Sequence, residues 1–352
     1  MTITQQVLIG NCAEILKTLP SESVDCVVTS PPYWGLRDYK TEPIVWDAVE
    51  GCEHDWEEVV GKSQAPISES TNLVGGHFQG NKDISFTAVT SFCSKCGAWR
   101  GQLGLEPTPQ LYIQHLVAIF DEVKRVLKKT GTCWVNLGDT YGGTTQTAKS
   151  LVQIPSRFAI AMTDSGWILR NEIIWHKPNC LPSSVKDRFT VDFEKLFFFV
   201  KSKRYYFEQQ FEPMNLKSIE RQKSPVNLGA KSTSMARYSK ESEFGTAKNK
   251  VVAPNENGRN KRTVWSITTK PYKGAHFAVF PPELVETPIR AGCPPGGVVL
   301  DPFGGSGTTS EVARKLSRSS IIIELNPEYL ELIRERARTD VPGVLGFEEV
   351  AP

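Results

Sequence analysis

The sequence predicts an α/β fold built on a mostly parallel sheet, with a small insertion and a basic segment set into it. Three observations predict this. The chain opens as strand, helix, strand before Ser30. Near its other end a strand, a Gly-rich turn and a helix follow one another over residues 297–316. Between them helical and strand patterns alternate, which is the signature of βαβ units.

The elements follow in order. Residues 6–10 form a short apolar run ending at Asn11, and residues 13–19 have helical spacing that stops at Pro20. Residues 24–28 read as a buried strand cut off by Ser30-Pro31-Pro32, because proline cannot donate to a ladder. From Thr41 to Leu103 the pattern dissolves, and residues 62–91, rich in Ser, Thr, Asn and Gly, read as a flexible loop. Residues 111–127 form an amphipathic helix with apolar positions at Leu116, Ile119, Phe120, Val123 and Leu127, and Gly131 is expected to end it. A strand at 132–137, a helix at 156–165 and strands at 169–176 and 195–201 follow. The strand at 297–300 leads through the Gly-rich turn into a helix at 308–316, then a strand at 320–324 and a closing helix at 328–338.

Composition sets bounds. The chain has 352 residues, 39% hydrophobic, with a formal net charge of +2. That suits one large α/β domain with a smaller module. No run is apolar and long enough to span a bilayer, and the first residues lack the basic and apolar regions of a signal peptide, so no membrane association and a cytoplasmic location are expected. The eight cysteines are not expected to form a disulfide framework.

Two segments carry chemistry. The first is Asp301-Pro302-Phe303-Gly304-Gly305-Ser306-Gly307-Thr308-Thr309, between a strand and a helix. Glycines there let backbone amides approach a ligand at the helix start. A Walker A loop needs a lysine that is absent, and the dinucleotide fingerprint is only partly matched because position 310 is Ser. An S-adenosylmethionine loop is the third reading. Glu324, at the end of the next strand, is placed to bind ribose hydroxyls. The second segment is Thr29-Ser30-Pro31-Pro32-Tyr33-Trp34. Its prolines remove donors, which leaves carbonyls and the Ser30 hydroxyl to accept hydrogen bonds, and Tyr33 offers a stacking face. Acceptors beside an aromatic suit the amino group of a base turned out of a duplex.

Together these segments resemble the amino-directed DNA methyltransferases, which form N4-methylcytosine or N6-methyladenine. Ser30-Pro31-Pro32-Tyr33 matches that family's catalytic motif, and residues 301–308 match its cofactor loop. Asn11 resembles the segment that meets the cofactor adenine. Residues 136–139 and 174–178 resemble later blocks. His276, Ala278, Phe280 and Pro281 fall in a segment that lines the cofactor pocket, and Glu324 falls in the ribose-binding block. The resemblance implies a Rossmann-like, seven-stranded sheet in the permuted order of the beta class, with the catalytic motif first and the cofactor loop last. It implies a prokaryotic or phage-encoded protein whose cofactor is S-adenosyl-L-methionine. The cofactor would be held by Asn11, His276, Ala278, Phe280, Pro281, Asp301, Phe303, Gly304, Gly305, Gly307, Thr308 and Glu324. Ser at the first motif position favours cytosine N4, with adenine N6 as the alternative. Less favoured are an RNA or protein amide methyltransferase and a non-catalytic DNA-binding protein.

The resemblance covers 1–40, 105–205 and 271–340, which leaves 41–104 as an insertion, 206–270 as a target-recognition region and 341–352 as a tail. The recognition region is basic, and Arg237, Lys248, Lys250, Arg259, Lys261 and Arg262 are its candidate contacts to double-stranded DNA. In the insertion, Cys52-x-His54 and Cys93-x-x-Cys96 are knuckle-like pairs that could close a structural zinc site. A homodimer and a cognate restriction endonuclease are candidate partners that the sequence leaves open.

Overall fold

In the computed structural model, residues 3–36, 41–59, 90–142, 148–214, 258–269, 280–337 and 344–350 are described. Strand β1 (Ile3–Ile9), helix α1 (Cys12–Thr18) and strand β2 (Val24–Thr29) form the opening unit. Asn11 starts α1 by accepting a hydrogen bond from the Ala13 amide at 3.0 Å, which satisfies one of the helix's free donors. Every residue of β2 is buried, as a parallel strand covered on both faces requires.

The insertion is ordered where the sequence shows no pattern. Strands β3 (Ile44–Trp46), β4 (Trp56–Val59), β5 (Thr90–Cys93) and β6 (Trp99–Gly101) form an antiparallel four-stranded sheet in the order β3-β6-β5-β4. Strands this short carry too few residues for alternation to register, and β4 pairs with β5 across a long sequence gap. Residues 60–89, which hold most of the expected flexible loop, lie outside the described set.

Helix α2 (Pro109–Val126) begins where Thr108 Oγ1 accepts from the Leu111 amide at 3.2 Å. Tyr112, Ile113, Leu116, Ile119, Phe120, Val123 and Val126 recur at helical spacing and are all buried. Each such side chain contributes roughly 1.5–3 kcal/mol of burial. The helix stops before Gly131: Leu127 is already extended, and strand β7 runs Leu127–Leu137 with Gly131 inside it. Backbone pairing with β2 overrides the glycine's tendency to end a helix, since Val24 pairs with Leu127. Helix α3 (Ile154–Asp164), strand β8 (Ile168–His176) and strand β9 (Phe193–Val200) follow. Short strands β10 (Phe211–Glu212), β11 (Arg259–Asn260) and β12 (Val264–Ser266) come next. Helix α4 (Pro282–Gly292), strand β13 (Val298–Asp301), helix α5 (Thr308–Lys315) and strand β14 (Ser319–Glu324) lead to the end. A single 3-10 turn at Pro327–Tyr329, helix α6 (Leu330–Ala337) and strand β15 (Val344–Val350) complete the chain.

The main sheet has the order β12-β8-β9-β7-β2-β13-β14-β1-β15. The seven expected strands form its middle, and one further strand lies at each edge. Within it β9 alone is antiparallel to its neighbours β7 and β8. β13 connects onward to one side and β2 to the other, so the crevice beyond their carboxyl ends is a topological switch point, where open α/β sheets bind ligands. Side chains alternate across the sheet. Cys133, Val135, Phe197 and Phe199 pack with α1, α2 and α3, whereas Trp134, Phe198 and Val200 pack with α4 and α5. Trp134 and Phe198 are register partners whose rings stack at 4.0 Å.

The chain divides into two compact units, residues 1–208 with 263–352, and residues 209–262. In the second unit β10 and β11 pair antiparallel. No helix among the described residues is long and apolar enough to cross a membrane.

Candidate active site and metal centre

The ends of β2 and β13 are tied together. Thr29 Oγ1 donates to Asp301 Oδ1 at 2.6 Å, Thr309 Oγ1 donates to Asp301 Oδ2 at 2.7 Å, and the Phe303 amide donates to Oδ1 at 3.1 Å. Burial pushes the Asp301 carboxyl up to about 6 against these three donors. Asp301 thus ties the strand end before Ser30 to the Gly-rich loop.

Ser30 follows directly. Its hydroxyl donates to the Tyr33 hydroxyl at 3.3 Å. Tyr33 donates in turn to Glu194 Oε2 at 2.7 Å, and Asn136 Nδ2 donates to both at 2.6 Å. Lys177 Nζ donates to the other Glu194 oxygen. Burial and the Glu194 charge push the Tyr33 hydroxyl well above its ordinary pKa, so it stays protonated. Its ring lies against Gly138, where an added methyl would come 2.5 Å from Tyr33 Cε2. Tyr33 is thus anchored at its hydroxyl and packed on one side. The Pro32 carbonyl is taken by Tyr112 Oη at 2.6 Å, so Pro32 is braced against α2. Pro31 is buried.

Asn136, Glu194 and Lys177 complete this cluster without having been singled out by role in the sequence. Glu194 and Lys195 are the two charged residues of an otherwise apolar strand, which was the available signal. Only the antiparallel direction of β9 brings its first residues to the same sheet edge as the last residues of β7, where Lys195 pairs with Leu137.

On the other side of the crevice lies the Gly-rich loop. Gly305 and Gly307 have φ of +53° and +80°, a region that residues bearing a Cβ rarely adopt. Gly305 N donates to Glu324 Oε2 at 2.7 Å, and Asn326 N donates to Oε1 at 2.8 Å. Gly10 N donates to the Glu324 carbonyl at 2.8 Å, which brings Asn11 and Glu324 to adjacent strand ends. Burial pushes the Glu324 carboxyl up to about 7, against the donors at Asn326 and Gly305. Two backbone donors leave acceptor capacity on a carboxylate with about four lone-pair sites. These residues fit a ligand bearing ribose hydroxyls. Thr308 Oγ1 and Ser306 Oγ accept from Arg336 Nη1. Gly304 N donates to the Ile323 carbonyl at 2.8 Å. Phe303 and Phe280 are half-buried against the core, and Pro281 caps α4. His276 and Ala278 lie outside the described residues.

The insertion brings its four expected ligands together. The donor atoms of Cys52, His54, Cys93 and Cys96 all lie within 4.8 Å of one another. Cys52 Sγ is 3.9 Å from Cys93 Sγ, and Cys96 Sγ is 3.4 Å from His54 Nδ1. Tetrahedral zinc with its usual bonds to sulfur sets sulfurs about 3.8 Å apart, so the donor set fits the ion. Burial raises the Cys93 thiol, but hydrogen bonds from His54 and from backbone amides outweigh it and bring it down to about 5. Gly97, with φ +76°, turns the chain so that its amide donates to the Cys93 carbonyl at 2.8 Å.

Of the expected DNA contacts, Arg259 and Arg262 share one carboxylate: their Nε atoms donate to Glu212 Oε1 at 2.8 and 2.6 Å. The Lys261 amide donates to the Gln210 carbonyl at 2.9 Å. Arg237, Lys248 and Lys250 lie outside the described residues.

Comparison with known proteins agrees with this geometry. The chain is 34% identical to the type II methyltransferase M.SmaI of Serratia marcescens, over 94% of this chain and 90% of that protein. It is 34% identical to M.XycI of Xanthomonas campestris pv. cyanopsidis, over 96% and 88%. Among solved structures, the cytosine-N4-specific PvuII DNA methyltransferase shares the fold with a TM-score of 0.56 at 19% identity, over 96% of this chain and 88% of that one. A Thermus thermophilus protein solved with S-adenosyl-L-methionine matches with a TM-score of 0.52 at 20% identity, over 99% of both chains. The DNA methylase family model, which joins N6- and N4-directed enzymes, matches residues 24–335, and the chain belongs to that family.

Proposed function

We propose that this DNA methylase transfers a methyl group from S-adenosyl-L-methionine to the exocyclic N4 of a cytosine turned out of double-stranded DNA. The observation that carries the reading is the juxtaposition of Ser30 and the Gly-rich loop across one switch point, with Thr29 and Asp301 joined at 2.6 Å. The bound cofactor supplies an electrophilic methyl on a sulfonium centre. Glu324 would hold its ribose, and the loop at 303–308 would supply backbone contacts. Ser30 accepts a hydrogen of the target amine, which turns the nitrogen lone pair toward the methyl. Ser30 would also stabilise the positive charge that the amine nitrogen gains on accepting the methyl, and the amine proton would leave to solvent. Positioning of this kind supplies much of the rate. Ser at the first motif position supports cytosine over adenine.

Zinc held by Cys52, His54, Cys93 and Cys96 belongs to the same reading as a structural ion. Basic residues of 206–270, Arg259, Lys261 and Arg262 among them, would meet DNA phosphates.

The test is direct. Purified protein is incubated with S-adenosyl-L-methionine and unmethylated DNA that samples many sequences, and the digested nucleosides are identified by mass spectrometry. N4-methylcytosine is expected. N6-methyladenine alone overturns the choice of base, and no methylated nucleoside overturns the activity.

A further inference from the structure

We propose that Glu194 is a positioning residue that sets the direction of the hydroxyl chain from Ser30, so that Ser30 meets the target amine only as an acceptor. The inference rests on the reading of Ser30 given above.

Each donor of this hydroxyl chain has a definite partner. A tyrosine hydroxyl has one proton and two lone pairs. In Tyr33 the proton goes to Glu194 Oε2 at 2.7 Å, and one lone pair takes Asn136 Nδ2 at 2.6 Å. One lone pair remains, and Ser30 Oγ lies 3.3 Å away to fill it. The Ser30 proton therefore points inward, and only acceptor positions are left facing the base. A hydroxyl that donates to a neighbour becomes a better acceptor itself, because hydrogen bonds in a chain polarise one another. The target amine offers hydrogens, so an acceptor-only oxygen is the species it needs.

Glu194 is what makes this direction fixed. As an ionised carboxylate it can only accept, and Lys177 on its other oxygen supplies the counter-charge. Asn136 is committed to the same end. Its Nδ2 serves both Tyr33 and Glu194, while its buried Oδ1 has no hydrogen-bond partner among the described residues. An amide held with its acceptor stranded is a local cost that other contacts must offset, and here the donor it presents is the one the chain requires. With glutamine at 194 the side chain offers a donor as well as an acceptor. Tyr33 is then free to turn its proton to Ser30, and Ser30 would present its own proton to an amine that cannot use it.

The experiment compares wild type, Glu194→Gln, Tyr33→Phe and the double variant. Single-turnover methyl transfer to DNA is measured beside cofactor and DNA dissociation constants and melting temperature. The expected result is a loss of about 100-fold in the transfer rate for Glu194→Gln, with both dissociation constants within a factor of about three. Tyr33→Phe should lose a similar amount, and the double variant should be no slower than the slower single, because both changes break one chain. Additive losses, an unchanged rate in Glu194→Gln, or a loss confined to cofactor affinity overturns the proposal. If Glu194→Gln fails to fold, Tyr33→Phe decides alone: its ring packing is intact, so an unchanged rate overturns the proposal. A wild type that methylates no DNA sinks the reading of Ser30 itself, whereas an active wild type with an equally active Glu194→Gln sinks only the role of Glu194.

Discussion

His115 Nδ1 lies 2.9 Å from Glu106 Oε1, and both side chains are almost wholly buried. The pair joins the insertion to the catalytic motif. On one side the His115 ring stacks on Trp46 and Trp99 of β3 and β6, at 4.5 and 5.5 Å, and its Nε2 meets Asp47 Oδ2 at 3.2 Å. On the other, Glu106 Oε2 accepts from the Gly104 amide at 2.8 Å, and its carbonyl accepts from Trp34 Nε1 at 2.9 Å. Trp34 follows Tyr33 directly. His115→Leu leaves the Glu106 carboxylate buried without its ring partner. It should destabilise the protein by about 3 kcal/mol, read by urea unfolding, and slow methyl transfer while cofactor affinity stays within a few-fold. A stability within about 0.5 kcal/mol of wild type would show that the pair does not brace the motif.

Removal of metal tests the insertion from its other end. Purified protein should carry close to one equivalent of zinc, and dialysis against a strong chelator should lower the melting temperature, because binding energy at a structural site is folding energy. Cys93→Ser should reproduce the chelator's effect and make the protein insensitive to further chelation. Less than half an equivalent of zinc in protein prepared without chelator counts against the site.

Two buried carboxyls make stability depend on pH. Burial raises Asp301 from 3.8 to about 6 and Glu324 from 4.5 to about 7 in the folded chain. A raised folded pKa means that the folded state holds the proton more tightly. The contribution is therefore fully present below the ordinary carboxyl range and is lost as pH rises through about 6 and 7. Glu324→Gln should flatten the part of the melting curve's pH dependence near neutrality in cofactor-free protein. An unaltered pH profile in this variant would contradict the raised value.

Cofactor affinity should run the opposite way. In the proposed function ribose hydroxyls would donate to the ionised Glu324, and the cofactor's positive sulfonium would favour the same form. Affinity should rise as pH increases through about 7, and binding should release a proton, which titration calorimetry in buffers of different ionisation enthalpy reads directly. Proton uptake, or none, would contradict the assignment of Glu324 to the ribose.

The basic unit is tested by salt. Lys261→Ala with Arg262→Ala should weaken DNA binding and reduce the slope of log affinity against log salt by about 0.9 for each phosphate left without its cation. An unchanged slope would place these residues away from phosphate. Arg262 shares Glu212 with Arg259, so Glu212→Gln should strengthen binding by freeing positive charge.

The sequence by itself determined the two chemical segments, the order in which they enter the sheet, and the four side chains of the candidate metal site. Each of these is local: Ser30-Pro31-Pro32-Tyr33, residues 301–308, Cys52-x-His54 and Cys93-x-x-Cys96 depend on neighbours a few positions away. Turn chemistry, glycine conformations and knuckle spacing are written at that range. Only the tertiary structure decided what surrounds them. Asp301 accepts from Thr29 and Thr309, because two strand ends far apart in the chain meet at the switch point. Glu194 and Asn136 reach Tyr33, and Lys177 reaches Glu194, from three different strands or their ends. The sheet of the insertion was invisible because its strands are three or four residues long, and β3 and β4 pair with partners remote in sequence. Periodicity reports which face of an element is buried; it carries no record of which element lies opposite, and the donors and acceptors of this site are shared between elements that only folding brings together.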